Sequence, residues 1–397
     1  MDPFRGGSAS AANLPVDMLA NIHGRLSLLD RLAFSAAFRS SRAAFRLEAP
    51  CLVLPGHTPD TVTLFSLSGR RAISVRAPEP MLLDHIIMGS SPSRGWLVTA
   101  DDRARLRLLN PVTGERRSLP AITTIPCLHA TTGGENPCLT LDLKWFFRGP
   151  PLRSYGPVTM SADTLRRCLY RKVILSDSGA IAMLVTGPGY GAVAFATAGG
   201  GSWRLAPPRD GVEPVASPKA DPWSLGPSPD GVKDAVHHEG RFYSITCSGK
   251  MEEWRQQDAD TMFASTVVEP ALRLAPADTD NCKYLMVTPG GRLMVVLKTK
   301  ETTGWRTPLS FKVQVLGAGA KEWKETDDIG DAALFVGTKG SLCVSTREHA
   351  ELRAGCVYYA AHGGVVVLSL KGGTVEEVDG LWTDHSWLEW FTPCISR

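Results

Sequence analysis

The sequence predicts a mainly β protein: a β-propeller of six or seven blades preceded by a small module of three helices. Length is the first reason. At 397 residues the chain exceeds the roughly 250–300 residues at which a single hydrophobic core stops growing, unless the architecture repeats. Composition is the second, since 38 glycines and 28 prolines stand above the roughly 12% of average usage and favour many short strands joined by turns. The third is a change of texture along the chain. Apolar residues recur at helical steps as far as Phe45, and beyond it they fall into short β-rich runs between turn signals.

Residues 1–13 are mostly Gly, Ser and Ala with little to bury, and read as a disordered tail. From Leu14 the apolar positions are Leu14, Leu19, Ile22, Leu26, Leu29, Leu32, Phe34, Phe38 and Phe45, with several steps of three or four. Pro15 suits a first helical turn, where its missing N–H would be unpaired anyway. Gly24 and Ser27 mark a break before a second helix near Leu28 to Ala36, and a third is expected from Phe38 to Leu47. Three helices of two or three turns cannot bury all these side chains among themselves, so an apolar stripe is left that needs a partner.

The order Leu14-Pro15, Asp17, Leu19, Ile22, Arg25-Leu26, Asp30, Leu32 and Phe34 resembles an F-box, over residues 14–47. In that family the helices pack into the adaptor subunit of Skp-cullin-F-box ubiquitin ligases. The resemblance implies that Leu14, Pro15, Leu19, Ile22, Leu26 and Leu32 contribute to the adaptor contact, docking helices into a groove, with Phe34 internal. The chain departs from the family in the third helix. There the family commonly has Cys and then Trp ahead of an Arg, whereas this chain has Phe38, Ser41 and Arg42. The competing reading of the same leucines is a helical cap on the large domain.

Residues 48–397 read as the propeller. Gly95 to Ala100 and Arg105 to Leu109, stopped by Asn110-Pro111, form a hairpin. Ala180 to Val185, Ala192 to Ala196 and then Trp203 repeat the pattern, as do Gly240 to Ile245 with Trp254. Tyr284 to Val287, Leu293 to Leu297, Phe311 to Val315 and Trp323 make a longer copy, and Gly355 to Tyr359 with Val365 to Leu370 begin a last one. Repeated small sheets without helical crossovers imply antiparallel meanders, and a radial arrangement protects their edges. A tandem of β-sandwiches is the alternative.

This region also resembles a family, the kelch-like C-terminal domain of unknown function 295 that accompanies many plant F-boxes. The matching stretches are Gly95-Trp96-Leu97-Val98 with Leu108-Leu109-Asn110-Pro111, Asp234-Ala235-Val236 with Gly240-Arg241-Phe242-Tyr243, Tyr284-Leu285-Met286-Val287, and Leu334-Phe335-Val336-Gly337 followed by Cys356-Val357-Tyr358-Tyr359. Trp390-Phe391-Thr392-Pro393 is similar to the family's ending.

Charge and cysteine usage narrow the function classes. A formal charge of +3 is far from the basic balance of a dedicated nucleic-acid binder. No apolar run approaches the roughly 18 residues of a membrane span, and the start of the chain lacks the apolar core of a secretory signal. Nine scattered cysteines without a Cys-x-x-Cys pair read as reduced thiols in the cytoplasm or nucleus.

The candidates for chemistry read as structure. Gly187-Pro188-Gly189-Tyr190-Gly191 and Gly199-Gly200-Gly201-Ser202 read as turns, lacking the spacing of a phosphate loop or a nucleophile elbow. His237 and His238 fall on opposite faces of a strand and do not share a metal. Asp101-Asp102 reads as a solvated hairpin tip, and Arg103, Arg105 and Arg107, like Arg166-Arg167 and Arg171-Lys172, as solvated edges. Residues 206–234 hold seven prolines around Trp223 and read as a long loop, with Trp223 a candidate target-binding residue.

The expected function is therefore a non-catalytic substrate-recognition subunit of a Skp-cullin-F-box ubiquitin ligase. Its partners would be a Skp-like adaptor, through it a cullin, and an unknown target protein, with no cofactor, metal, membrane or nucleic acid. The alternatives are an F-box scaffold or regulator outside degradation, and a propeller enzyme or sugar-binding protein with a helical cap.

Overall fold

The computed structural model describes residues 14–45, 48–56, 58, 61–67, 70–76, 85–91, 94–131, 138–142, 157–187, 191–206, 230–257, 263–272, 274, 282–300, 309–317, 319, 322–361, 364–378 and 388–394. Among them the β-rich runs form seven sheets. The hairpin read at Trp96 is Trp96–Ala100 with Leu106–Leu109, the middle of a four-stranded meander that opens with Ile86–Ser91 and ends with Arg116–Ser118. Three further four-stranded meanders open with Tyr170–Leu175, Val232–His238 and Cys282–Val287, each running outward in chain order. In the next sheet Ala332–Val336 turns back into Ser341–Ser345, which forms the inner edge, and pairs in parallel with Cys356–Ala361 on its other side. The last blade is closed by the end of the chain: Glu389–Phe391 pairs antiparallel with Cys51–Pro55, supplying the inner strand to three outer strands from residues 51–76.

The inner strands close a ring. Ile86–Ser91 touches Tyr170–Leu175, followed in turn by Val232–His238, Cys282–Val287 and Ser341–Ser345; Glu389–Phe391 touches Ile86–Ser91, and Gly340 packs on Glu389. Among the described residues the propeller accordingly has six blades. The seventh sheet, Leu128–Thr131, Cys138–Leu141 and Val158–Ser161, shares a core with the blades that open at Ile86 and Tyr170 and has no strand at the axis. Those two inner strands leave it no space. A Cβ on Gly89 would lie 2.2 Å from the Val173 carbonyl oxygen, so only a glycine lets the backbones approach this closely. The last unit expected from Gly355 is thus the middle of a five-stranded blade that begins at Ala332.

Two of the recurring tryptophans bond to the preceding blade, while Trp254 donates to the Ser244 hydroxyl within its own. Trp203 Nε1 donates to the Pro120 carbonyl at 2.9 Å, and Trp323 Nε1 to the Pro270 carbonyl at 3.0 Å. Trp323 starts an outer strand and Trp203 directly precedes one, and each reaches the segment that follows the outer strand of the preceding blade. A large apolar ring with one donor suits such a seam, because burial and a hydrogen bond are satisfied together.

Two helices precede the propeller, α1 (Val16–Arg25) and α2 (Leu28–Ala37). Ser27 caps α2 by accepting from the Asp30 N–H, which satisfies one of the donors that a helix start leaves open. The third helix expected from Phe38 to Leu47 is instead a 3-10 segment, Arg39–Ala44. Serine is a weaker helix former than alanine or leucine, and six residues suit the tighter turn. Leu28 and Leu32 enter one core with Cys51, Val53, Leu64, Ile87 and Phe391. Arg31 donates to both oxygens of Glu48 at 2.7 and 2.6 Å, so α2 is fixed to the blade that contains both ends of the propeller.

Candidate functional site

The N-terminal helices divide the predicted contact residues into three groups. Leu19 and Leu32 are interior, at 2% and 5% exposure, Leu32 within the propeller core. Leu14 and Leu26 are half-buried. Pro15 and Ile22 are exposed, and Ile22 has Val16, Met18 and Leu29 as exposed apolar company. Inside, the His23 ring stacks on Phe45 at 4.8 Å and bonds the Ser35 hydroxyl through Nε2 at 3.1 Å. Burial lowers the pKa of His23. Phe34 packs against His23, Phe38 and Phe45, and Arg42 Nε donates to the Ser35 carbonyl.

The second site is the axis of the propeller, where three inner strands carry a register shift near the same level: between Ile87 and Gly89, Tyr170 and Lys172, and Val232 and Asp234. A bulge re-aims the side chains that follow it. Two of these place Lys172 and Asp234 side by side, with Nζ 2.6 Å from Oδ1. Asp234 Oδ2 accepts from the Leu285 N–H at 2.8 Å and from the Ser341 hydroxyl at 3.4 Å. One carboxylate thereby joins four inner strands.

Glu389 lies beside this group with no exposed surface. Its Oε2 accepts from the Lys339 N–H at 3.0 Å, while Oε1 has no hydrogen-bond partner among the described residues. Burial raises its pKa from 4.5 to about 7, against the opposing Lys339 N–H, Lys172 and Lys339 charges. Lys339 Nζ reaches the Tyr170 carbonyl at 3.3 Å, and burial with the Arg171 charge lowers its pKa to about 8. Lys172, Ala235, Gly340 and Ser341 line a cavity of about 230 Å³.

Several sequence candidates are placed differently from their reading. Asp101 is buried rather than solvated: Oδ1 accepts from the Arg103 and Arg105 N–H groups, and Oδ2 from Arg105 Nε at 2.6 Å, with Arg107 at 3.6 Å. Partners 66 residues on cover this tip, since Arg166 donates to the Ala100 carbonyl and the Tyr170 hydroxyl to that of Ala104. Arg166 and Lys172 are correspondingly enclosed between blades, not on solvated edges. His237 and His238 do diverge, Nδ1 of the first accepting from the Asp177 N–H and Nε2 of the second meeting the Gly291 carbonyl. Among the described residues no group of three His, Cys, Asp or Glu could hold a metal, and no helix is long and apolar enough to cross a membrane. Trp223, the residues 188–190 of the glycine turn and the 1–13 tail lie outside the described residues.

Six blades closed by the C-terminal strand define a β-propeller protein. The family model of the KIB1-4 beta-propeller matches residues 64–379, and the chain belongs to that family. The matched stretch begins after the helices. A search of curated proteins finds no match. Among solved structures, the chain is similar to the Cps50 (Swd1) beta-propeller domain of Myceliophteria thermophila, at 10% identity over 84% of this chain and 90% of that one with a TM-score of 0.36. It is likewise similar to a protein of unknown function from Bacteroides thetaiotaomicron, at 10% identity over 88% and 68% of the two chains and a TM-score of 0.36. Neither likeness adds to what the strand pairing establishes.

Proposed function

We propose that this chain is the substrate-recognition subunit of a Skp-cullin-F-box ubiquitin ligase, its helices docking on a Skp-like adaptor and its propeller holding the target protein. The observation that carries this reading is where apolar surface stays uncovered. Of the large apolar side chains exposed among the described residues, Val16, Met18, Ile22 and Leu29 lie on the two helices, and two valines, Val267 and Val375, lie elsewhere. Met18 and Ile22 are one turn apart on one face of α1. Scattered exposed apolar residues are ordinary, whereas a group on adjoining helices fits insertion into a partner's groove.

The attachment of α2 supports the same reading. With Leu28 and Leu32 in the propeller core and Arg31 on Glu48, an adaptor on the helices is held in one orientation relative to the blades. Such an assembly acts by raising the effective concentration of a target lysine near ubiquitin. The chain itself carries out no bond chemistry, and it works in the cytoplasm or nucleus.

The test is co-expression with a Skp-like adaptor followed by pull-down of wild type and a Met18→Glu, Ile22→Glu double variant. Wild type retains the adaptor and the double variant loses it while its melting temperature changes little, because both side chains are exposed on the surface of α1. Failure of folded wild type to retain the adaptor, or retention by the double variant, overturns the proposal.

A further inference from the structure

The cavity in the channel has room for about eight water molecules at roughly 30 Å³ each. Leu175, Val236, Met286, Val287 and Leu342 give it apolar walls, and Lys172 and Ser341 form a polar end. We propose that it binds a small organic anion, a monocarboxylate with an apolar body, whose carboxylate meets Lys172 and Ser341. The proposal is independent of adaptor docking.

The donors at that end are incompletely used. An ammonium group has three N–H bonds. Lys172 spends one on Asp234 Oδ1 at 2.6 Å and one on the Ala235 carbonyl at 3.2 Å, and a third has no partner among the described residues. Lys172 lines the cavity, and its side chain keeps 13% exposure. The Ser341 hydroxyl is divided between two long contacts, 3.4 Å to Asp234 Oδ2 and 3.3 Å to the Leu285 carbonyl. A nearer acceptor would take that proton. Asp234 offers little to a cation, since N–H groups of Ala235 and Leu285 occupy its two oxygens together with Lys172 and Ser341.

Charge selects the ligand's sign. Arg171 and Lys172 stand near the axis with Asp234, while burial shifts both Lys339 and Glu389 toward their neutral forms. Arg171 and Lys172 against Asp234 leave a positive charge over, which stabilises an anion. The single acid among the described lining residues, Asp177, is at the solvent edge beside His237, with 65% exposure. Two donors suit one carboxylate and fall short of what a phosphate dianion requires, while the apolar walls reward a hydrocarbon body.

The experiment is calorimetric titration of the full chain with benzoate, phenylacetate and octanoate, each beside its neutral amide, repeated on Val287→Phe and Ser341→Ala. Val287 is a half-buried wall residue at the border of the core around Leu285 and Leu293, so the larger ring is expected to take up cavity space, and the melting temperature of each variant checks its fold. The expected result is one-to-one binding of at least one carboxylate, about tenfold or more tighter than its amide. Val287→Phe abolishes it, and Ser341→Ala weakens it. Absence of millimolar binding by all three carboxylates, equal binding of the amides, or binding unchanged in folded Val287→Phe overturns the proposal. Retention of the adaptor is unaffected by either variant, so the two proposals fail separately.

Discussion

Replacing Glu389 by glutamine changes how stability depends on pH, and by how much follows from its surroundings. The side chain has no exposed surface, one oxygen bonded to the Lys339 N–H and the other unpartnered among the described residues. Burial raises its pKa from 4.5 to about 7. The folded form then holds a proton that the unfolded chain has released across this window, so stability falls as pH rises from about 4.5 to 7 and levels off above it. Between pH 5 and 8 the loss is about 2 to 3 kcal/mol, since each pKa unit is worth about 1.4 kcal/mol. Glutamine is nearly isosteric and does not titrate, so the Glu389→Gln variant should escape this loss. Urea unfolding of both proteins at half-unit intervals from pH 5 to 8.5 measures it, with an unchanged denaturant slope confirming that the same surface is exposed. The stability difference should be small at pH 5 and grow in favour of the variant toward pH 8. Parallel profiles, or a variant that is less stable at pH 8, would mean that Lys172 and Lys339 hold Glu389 ionised, and the reasoning would fail.

Other substitutions test the packing. Gly89→Ala places a methyl 2.2 Å from the Val173 carbonyl oxygen and should cost about 3 kcal/mol or more by forcing two inner strands apart, read as a lower urea midpoint. Leu32→Ala removes a side chain shared between α2 and the core around Val53 and Phe391. A loss of about 2 to 5 kcal/mol is expected, with limited proteolysis cutting between the helices and Cys51 sooner than in wild type; an unchanged cleavage pattern would show that the helices hold without it.

Where local chemistry decides, the sequence was readable. The helical steps from Leu14 and the caps around Ser27 mark α1 and α2 nearly to the residue. Strand runs bounded by glycines correspond to the hairpins at Trp96, Ile181, Arg241 and Leu293. The propeller architecture was also legible, because antiparallel meanders without crossovers have few ways to protect their edges. The tryptophans near the ends of the units were visible too, although not the carbonyl partners of Trp203 and Trp323 in the preceding blades.

What escaped depends on contacts between distant parts of the chain. The sheet at Leu128 was not read from the sequence, and the glycine-sized approach of Gly89 to Val173 leaves it no place at the axis. Lys172 and Asp234 are 62 residues apart, and Lys339 and Glu389 are 50 apart. As isolated letters they are ordinary surface charges. Burial converts them into the polar centre of the ring, because a desolvated charge must find a partner or change its protonation, and which partner it finds is set by strand register. The sequence by itself determined the helices, the strands and the class of architecture through periodicity and turn chemistry. Tertiary structure decided the number of blades, the closure by Glu389–Phe391 and the chemistry of the channel, since each requires residues far apart in the chain to occupy the same few ångströms.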